Sequence, residues 1–220
     1  MEFLRVRLHA GEDSLPALIE FYADRLGVRQ TGATFRIGAT ELEFVSAPGD
    51  PFYHFALLVP GNRFDAALAW AKERVELLPY QETGEVAFDF DNWAALALYI
   101  HDPAGNIVEL IAHRGIGETA AEGPFDSGEL LGFSELGLIG DPVTMASDLE
   151  HLGLELWDGT LEGPGRLAFV GEKARTLILS SEGRGWFPTG RPAEPHPVEA
   201  LLSGPPRGKA LVGPHRVSRR

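Results

Sequence analysis

Near the start of the chain, FLRVRLHA alternates apolar Leu4, Val6 and Leu8 with polar Arg5, Arg7 and His9, the period-two pattern of a strand with one buried face. Ser14 then opens SLPALIEFYADRLG, which spaces Leu18, Phe21, Tyr22 and Leu26 at helical intervals. Pro16 lies in its first turn and Gly27 stops it. ATFRIG and TELEFVSA follow as two strands joined at Gly38-Ala39, and APGDP breaks the pattern. The order then restarts. FYHFALLVP predicts a strand, and NRFDAALAWAKERV a helix capped by Asn62 with Phe64, Leu68 and Ala71 on one face. After an irregular stretch to Trp93 come two strands, AALALYI and NIVELIAH. A third round begins beyond a Gly-rich linker. FSELGLIG reads as a strand, DPVTMASDLEHLG as a helix with Asp141 as N-cap and Pro142 at its first position, and RLAFVGE and RTLILSS as strands.

This internal repetition is the strongest organisational signal in the chain. It predicts unit one over residues 3–46 and unit two over 52–113, paired to form a cleft within 1–114. A linker over 115–131, a degenerate third unit over 132–182 and a Gly/Pro-rich extension over 183–220 complete the division. Aligned at their first strands, Phe3-Leu4-Arg5, Phe52-Tyr53-His54 and Phe133-Ser134-Glu135 each place a polar side chain two residues after a Phe, on the face that the Phe shares. At the closing strands Glu43 falls opposite Ile178, and unit two supplies Glu109. The third unit has therefore lost a carboxylate that the first two keep.

Composition narrows the chemistry. A chain of 220 residues with 44% hydrophobic content can bury a sizeable core. Its formal net charge of -13 argues against nucleic acid or an anionic membrane as the main partner. The locally basic GPPRGKALVGPHRVSRR reads as a solvated tail. With no cationic leader and no long apolar run, the cytoplasm is the expected location. Zero cysteines exclude thiolate nucleophiles and Cys-ligated zinc, so a metal site must come from His, Asp and Glu. There is no phosphate loop, nucleophile elbow or dinucleotide fingerprint, so no organic cofactor is expected.

One carboxylate is out of keeping with its surroundings. HDPAGNIVEL opens as a turn, closes as a strand, and sets Glu109 among Val108, Leu110 and Ile111. A buried, unpaired carboxylate would be protonated or avoided, so it needs a partner, and His54 is the natural neighbour. Two readings follow. Either a divalent ion sits among His and Glu side chains, or Arg5 or Arg7 neutralises Glu43 and Glu109 and leaves an inert polar cleft.

YIHDPAGNIVELIAHR, the FYHFALLVP strand and the tandem strand-helix-three-strand order together resemble the vicinal oxygen chelate superfamily. That superfamily includes glyoxalase I, type I extradiol ring-cleaving dioxygenases, and fosfomycin- and bleomycin-resistance proteins. The likeness covers residues 3–113 well and 132–182 loosely, and RGWFPTGRPAEPHP lies outside the repeat. It implies an α+β fold of tandem βαβββ units whose curled mixed sheets surround a cleft with a divalent metal on the concave face. Carried residue by residue, the ligand positions fall on His54, Glu109 and Glu43. The remaining position, where a His is usual, falls on Arg5 or Arg7, and an arginine cannot ligate.

The leading expectation is a small-molecule metalloenzyme using Mn, Ni, Zn, Mg or Fe, with lyase or isomerase chemistry ahead of dioxygen chemistry because two Glu accompany one His. Glu109 and Tyr99 are the catalytic candidates, and Arg5, Arg7 and Trp93 are candidate substrate contacts. Trp186 and Phe187 read as anchors pinning a tail, and His101 and His113 as surface or cap residues. The rival is a binding protein that sequesters an aromatic or anionic compound without metal. An odd number of units implies a homodimer through residues 132–182.

Overall fold

The computed structural model describes residues 1–163 and 165–220. Unit one comprises β1 (Phe3–Gly11), α1 (Leu15–Glu20), which continues as a π-type turn over Phe21–Arg25, β2 (Arg29–Thr31), β3 (Thr34–Ile37) and β4 (Thr40–Ala47). Unit two comprises β5 (His54–Val59), α2 (Phe64–Lys72), β6 (Phe88–Phe90), β7 (Ala95–His101) and β8 (Ile107–His113). Unit three comprises β9 (Gly132–Ile139), α3 (Pro142–Glu150), β10 (Leu156–Gly159), β11 (Leu167–Glu172) and β12 (Arg175–Ser180). A short hairpin follows, β13 (Gly185–Trp186) with β14 (Arg191–Pro192). The chain ends in β15 (Val198–Leu202), β16 (Gly208–Val212) and β17 (His215–Arg219).

Within each full unit the first strand runs parallel to the last, β1 with β4, β5 with β8 and β9 with β12. The last three strands repeat this arrangement without a helix: β15 is parallel to β17, and β16 is antiparallel to β17. The segment expected to be a solvated tail is thus a reduced fourth unit. Its strands bury Ala200, Ala210, Val212 and Val217, and α3 packs on both β12 and β16 to cover it.

The pairing of units also differs from expectation. β5 lies antiparallel to β9, and β1 lies antiparallel to β15. One eight-stranded sheet therefore joins units two and three in the order β10-β11-β12-β9-β5-β8-β7-β6. A seven-stranded sheet joins units one and four as β16-β17-β15-β1-β4-β3-β2. Units one and two do not share a cleft. The unpaired third unit that suggested a homodimer already has its partner within the chain.

Both sheets turn one face, with Val6 and Leu8 on one and Phe55, Leu57 and Leu110 on the other, into a common core with the helices. Two β-bulges set the opposite faces. Register shifts occur between Phe3 and Arg5 against β15, and beside Ser134, where β5 meets β9. They put Phe3 and Phe133 in the core, with ring centroids 6.0 Å apart, while Arg5 is exposed and Glu135 enters a cleft. In these two units the polar side chain does not share the face of its Phe, as simple alternation had predicted.

Asp141 caps α3 as expected, accepting from the Thr144 N–H at 2.8 Å. Asn62 does not cap α2, whose cap position is Arg63; its amide instead donates to the Thr119 carbonyl at 2.7 Å.

Candidate metal centre and substrate cavity

The DPAGN turn fixes the entry to β8. Asp102 accepts from the Ala104 and Asn106 N–H groups at 3.0 and 3.1 Å, from the Asn106 amide at 2.8 Å and from the Tyr22 hydroxyl at 2.9 Å. The Asn106 side-chain oxygen accepts from the Tyr53 N–H at 2.7 Å, which sets the start of β5 beside the start of β8. Burial raises the Asp102 carboxyl to about 6 against the pull of these donors. The turn thus holds His54 next to Ile107 and Glu109 next to Ala56 in parallel register.

Across the eight-stranded sheet one row reads Tyr99, Glu109, Ala56, Glu135, Thr176. Ala56 is the small residue between two acids, so the carboxylates lean toward one another over its methyl group. His54, one pleat along β5, completes the group. One donor atom from each of His54, Glu109 and Glu135 lies within 4.8 Å of the others. All three residues are buried, at 5%, 3% and 3% exposure.

His54 Nδ1 lies 3.1 Å from the Ile107 carbonyl, which can only accept, so Nδ1 carries the ring proton and Nε2 presents a lone pair. Burial pushes the imidazole down to about 4, so it is neutral at pH 7. Nε2 stands 3.6 Å from Glu109 Oε2, too far for a hydrogen bond. With a neutral ring this contact is one acceptor facing another and not an ion pair. Burial and the neighbouring Glu135 hold the Glu109 carboxyl well above its ordinary range, with Tyr99 pulling the other way, and burial raises Glu135 to about 8. No lysine or arginine forms an ion pair with either acid among the described residues. Three groups able to ligate thus converge with no lysine or arginine paired to them among the described residues. A divalent cation fits this donor set, and the backbone contact at Nδ1 is the outer hydrogen bond that orients a ligating imidazole.

The other sheet provides a comparison within the same molecule. There the equivalent row reads Glu43, Arg7, Glu199, Arg216. Arg7 occupies the position of Ala56, and its guanidinium reaches Glu43 at 3.0 Å and Glu199 at 3.4 Å. Arg5 takes the place of His54 and is exposed. The expected grouping is corrected here. Glu43 does not join His54 and Glu109, because it belongs to the sheet of units one and four and is neutralised by Arg7. For the same reason Arg5 and Arg7 can neither neutralise Glu109 nor touch a ligand beside it.

Tyr99 and Trp93 do come to the site. With His54, Glu109 and Glu135 they line a cavity of about 290 Å³, walled by Phe90, Phe169 and Ile178 and by Trp186 and Phe187. Tyr99 is opposite Glu109, and burial with the nearby carboxylates keeps its phenol protonated far above pH 7. The Trp93 indole donates to Asp158, which ties it to β10. Trp186 anchors its hairpin as expected, with its ring 4.6 Å from that of His54, but it and Phe187 are also cavity walls. His101 is exposed as expected. His113 is fully buried, four residues past Glu109 on the same strand face and stacked near Trp93.

Sequence reasoning missed Glu135 as a site residue, although its place in the recurring polar slot was visible. It also missed Arg184, which lines the cavity from a segment outside the repeat and left no comparable signal.

No family model matches the sequence, and no curated protein matches it. Solved structures do match the fold. A "putative dioxygenase" from Bacillus subtilis subsp. subtilis str. 168 aligns with a TM-score of 0.59 at 15% identity, covering 100% of this chain and 85% of that one. Glyoxalase I from Zea mays aligns at 0.54 and 16% identity, covering 90% and 74%.

Proposed function

Starting from a chain with the glyoxalase- and dioxygenase-like fold of the vicinal oxygen chelate superfamily, we propose that it is a metal-dependent enzyme acting on a small molecule with two adjacent oxygens. His54, Glu109 and Glu135 are the ligands of one divalent ion in this reading. One observation carries it: two buried carboxyl groups and a neutral imidazole converge with no lysine or arginine paired to them among the described residues, whereas the equivalent carboxylates of the other sheet have Arg7 between them.

When bound, such an ion supplies Lewis-acid charge to substrate oxygens. One imidazole and two carboxylates suit Mn, Ni, Zn or Mg and lyase or isomerase chemistry more than iron and dioxygen. Tyr99, held protonated beside Glu109, donates a hydrogen bond to a substrate oxygen. Trp93, Phe169 and Phe187 exclude water and face the substrate body.

A second reading has one observation in its favour. Burial lets Glu135 keep a proton up to about 8, so the acid pair can be satisfied without an ion in a sequestering protein.

Calorimetric titration of metal-stripped protein with Mn²⁺ or Zn²⁺ separates the two. We expect one equivalent bound, with affinity rising by more than about tenfold per pH unit between roughly pH 6 and 8, because the ion must displace protons held by both Glu135 and Glu109. His54, lowered to about 4, adds nothing in that window. Glu135→Gln should weaken binding by about 100-fold, and Glu43→Gln should leave it unchanged. Absence of stoichiometric uptake, or equal damage from the two variants, contradicts the enzyme reading.

A further inference from the structure

The cavity contains one cation that the metal centre does not use. Arg184 precedes the 185–192 hairpin and lines the cavity with Trp186 and Phe187, which that hairpin contributes. Its guanidinium carbon lies 5.8 Å from the Trp186 ring centroid, and Nε donates to the Gly165 carbonyl at 3.4 Å. No acid pairs with it among the described residues. The hairpin is firmly seated. Arg191 stacks on Phe52 at 3.3 Å and donates to the Gly105 carbonyl at 3.0 Å, Phe187 packs on Phe88 at 4.8 Å, and Gly137 leaves room for the Trp186 ring. Arg184 is therefore held at the cavity wall beside a well-packed hairpin, and its terminal nitrogens make no hydrogen bond among the described residues.

Charge arithmetic gives this residue a role. A divalent ion cancels Glu109 and Glu135, His54 is neutral, and the guanidinium remains as surplus positive charge in an otherwise aromatic cavity. A half-buried guanidinium without an acid is costly unless a ligand brings the anion. The volume of about 290 Å³ lies at the small end of ligand cavities, and the walls are ring-shaped apolar faces.

We infer that Arg184 is a specificity-determining residue that receives a carboxylate on the substrate. The substrate class is then a compact aromatic or similarly planar monoanion whose acid group lies away from its two chelating oxygens. This rests on the metal-centre reading for the chelating end only.

The test uses Trp fluorescence titration of the Zn²⁺-loaded full chain with 3,4-dihydroxybenzoate and with its methyl ester, which keeps the ring and vicinal oxygens but removes the charge. Wild type should bind the acid at least about tenfold more tightly than the ester. Arg184→Gln should abolish that ratio without weakening Zn²⁺ binding, and Arg184→Lys should restore part of it. A ratio near one in wild type, a ratio that survives Arg184→Gln, or no binding of either probe overturns the inference. If the chain takes up no Zn²⁺, the metal reading fails by that measurement alone, while the acid-to-ester ratio in metal-free protein still decides the role of Arg184.

Discussion

Ala56 and Arg7 hold equivalent positions between equivalent pairs of glutamates. Arg7 fills its position with a guanidinium that reaches both acids, and Ala56 leaves its position open over a floor of one methyl group. The energetic settings differ. The Arg7 pair is partly exposed, where such contacts contribute about 0–1 kcal/mol. Glu109 and Glu135 are buried, so an uncompensated charge there would cost far more. Substituting Ala56→Arg should therefore copy the Arg7 arrangement and supply the missing charge internally. The variant should fold with native circular dichroism and lose metal affinity by about 100-fold or more. Retention of wild-type uptake would mean that the ion does not sit between these two acids. At this scale alternation along β5, β7 and β8 brings His54, Glu109 and Tyr99 to one cavity, and Trp93 joins them from the turn before β7. Glu43 was misassigned because a strand pattern reveals which face a residue occupies, and not which sheet its strand joins.

At the scale of elements, strand and helix periodicity disclosed three units. The fourth was hidden because it lacks a helix and its strands are short and broken by Gly and Pro, although Val198, Ala200 and Leu202 do alternate. The bulges beside Phe3 and Phe133 were likewise invisible, since an extra residue changes the face of a side chain without changing composition. The DPAGN turn is the element whose chemistry could be read most directly. Asn106 is fully buried and bonds both Asp102 and the Tyr53 N–H, one residue before His54. Asn106→Ala removes one of the four hydrogen bonds to the buried Asp102 carboxylate and leaves the buried Tyr53 N–H without its acceptor. The expected cost is about 2–4 kcal/mol in urea unfolding, with weaker metal binding because the register of β5 on β8 loosens. A loss below about 1 kcal/mol would show that the turn does not hold the two strands in place.

At the scale of the whole molecule, four units form two sheets in nested order, first with fourth and second with third. Each unit's first strand is paired within its own unit on one edge only, which leaves the other edge for a neighbouring unit, so hydrogen bonding alone does not choose among pairings. Packing of Phe133 against both Phe55, at 5.0 Å, and Phe3 accompanies the observed choice. One sheet carries an arginine-filled charge ladder, and the other an acid pair beneath an aromatic cavity roofed by the 185–192 hairpin. No helix is long and apolar enough to cross a membrane among the described residues. The most direct test of the central claim is anomalous diffraction from crystals of the full chain grown with Mn²⁺. The account predicts one strong peak at about 2.0–2.3 Å from His54 Nε2 and from carboxylate oxygens of Glu109 and Glu135. A map without a peak there, or with its peak in the cleft of Arg7, Glu43 and Glu199, would contradict it.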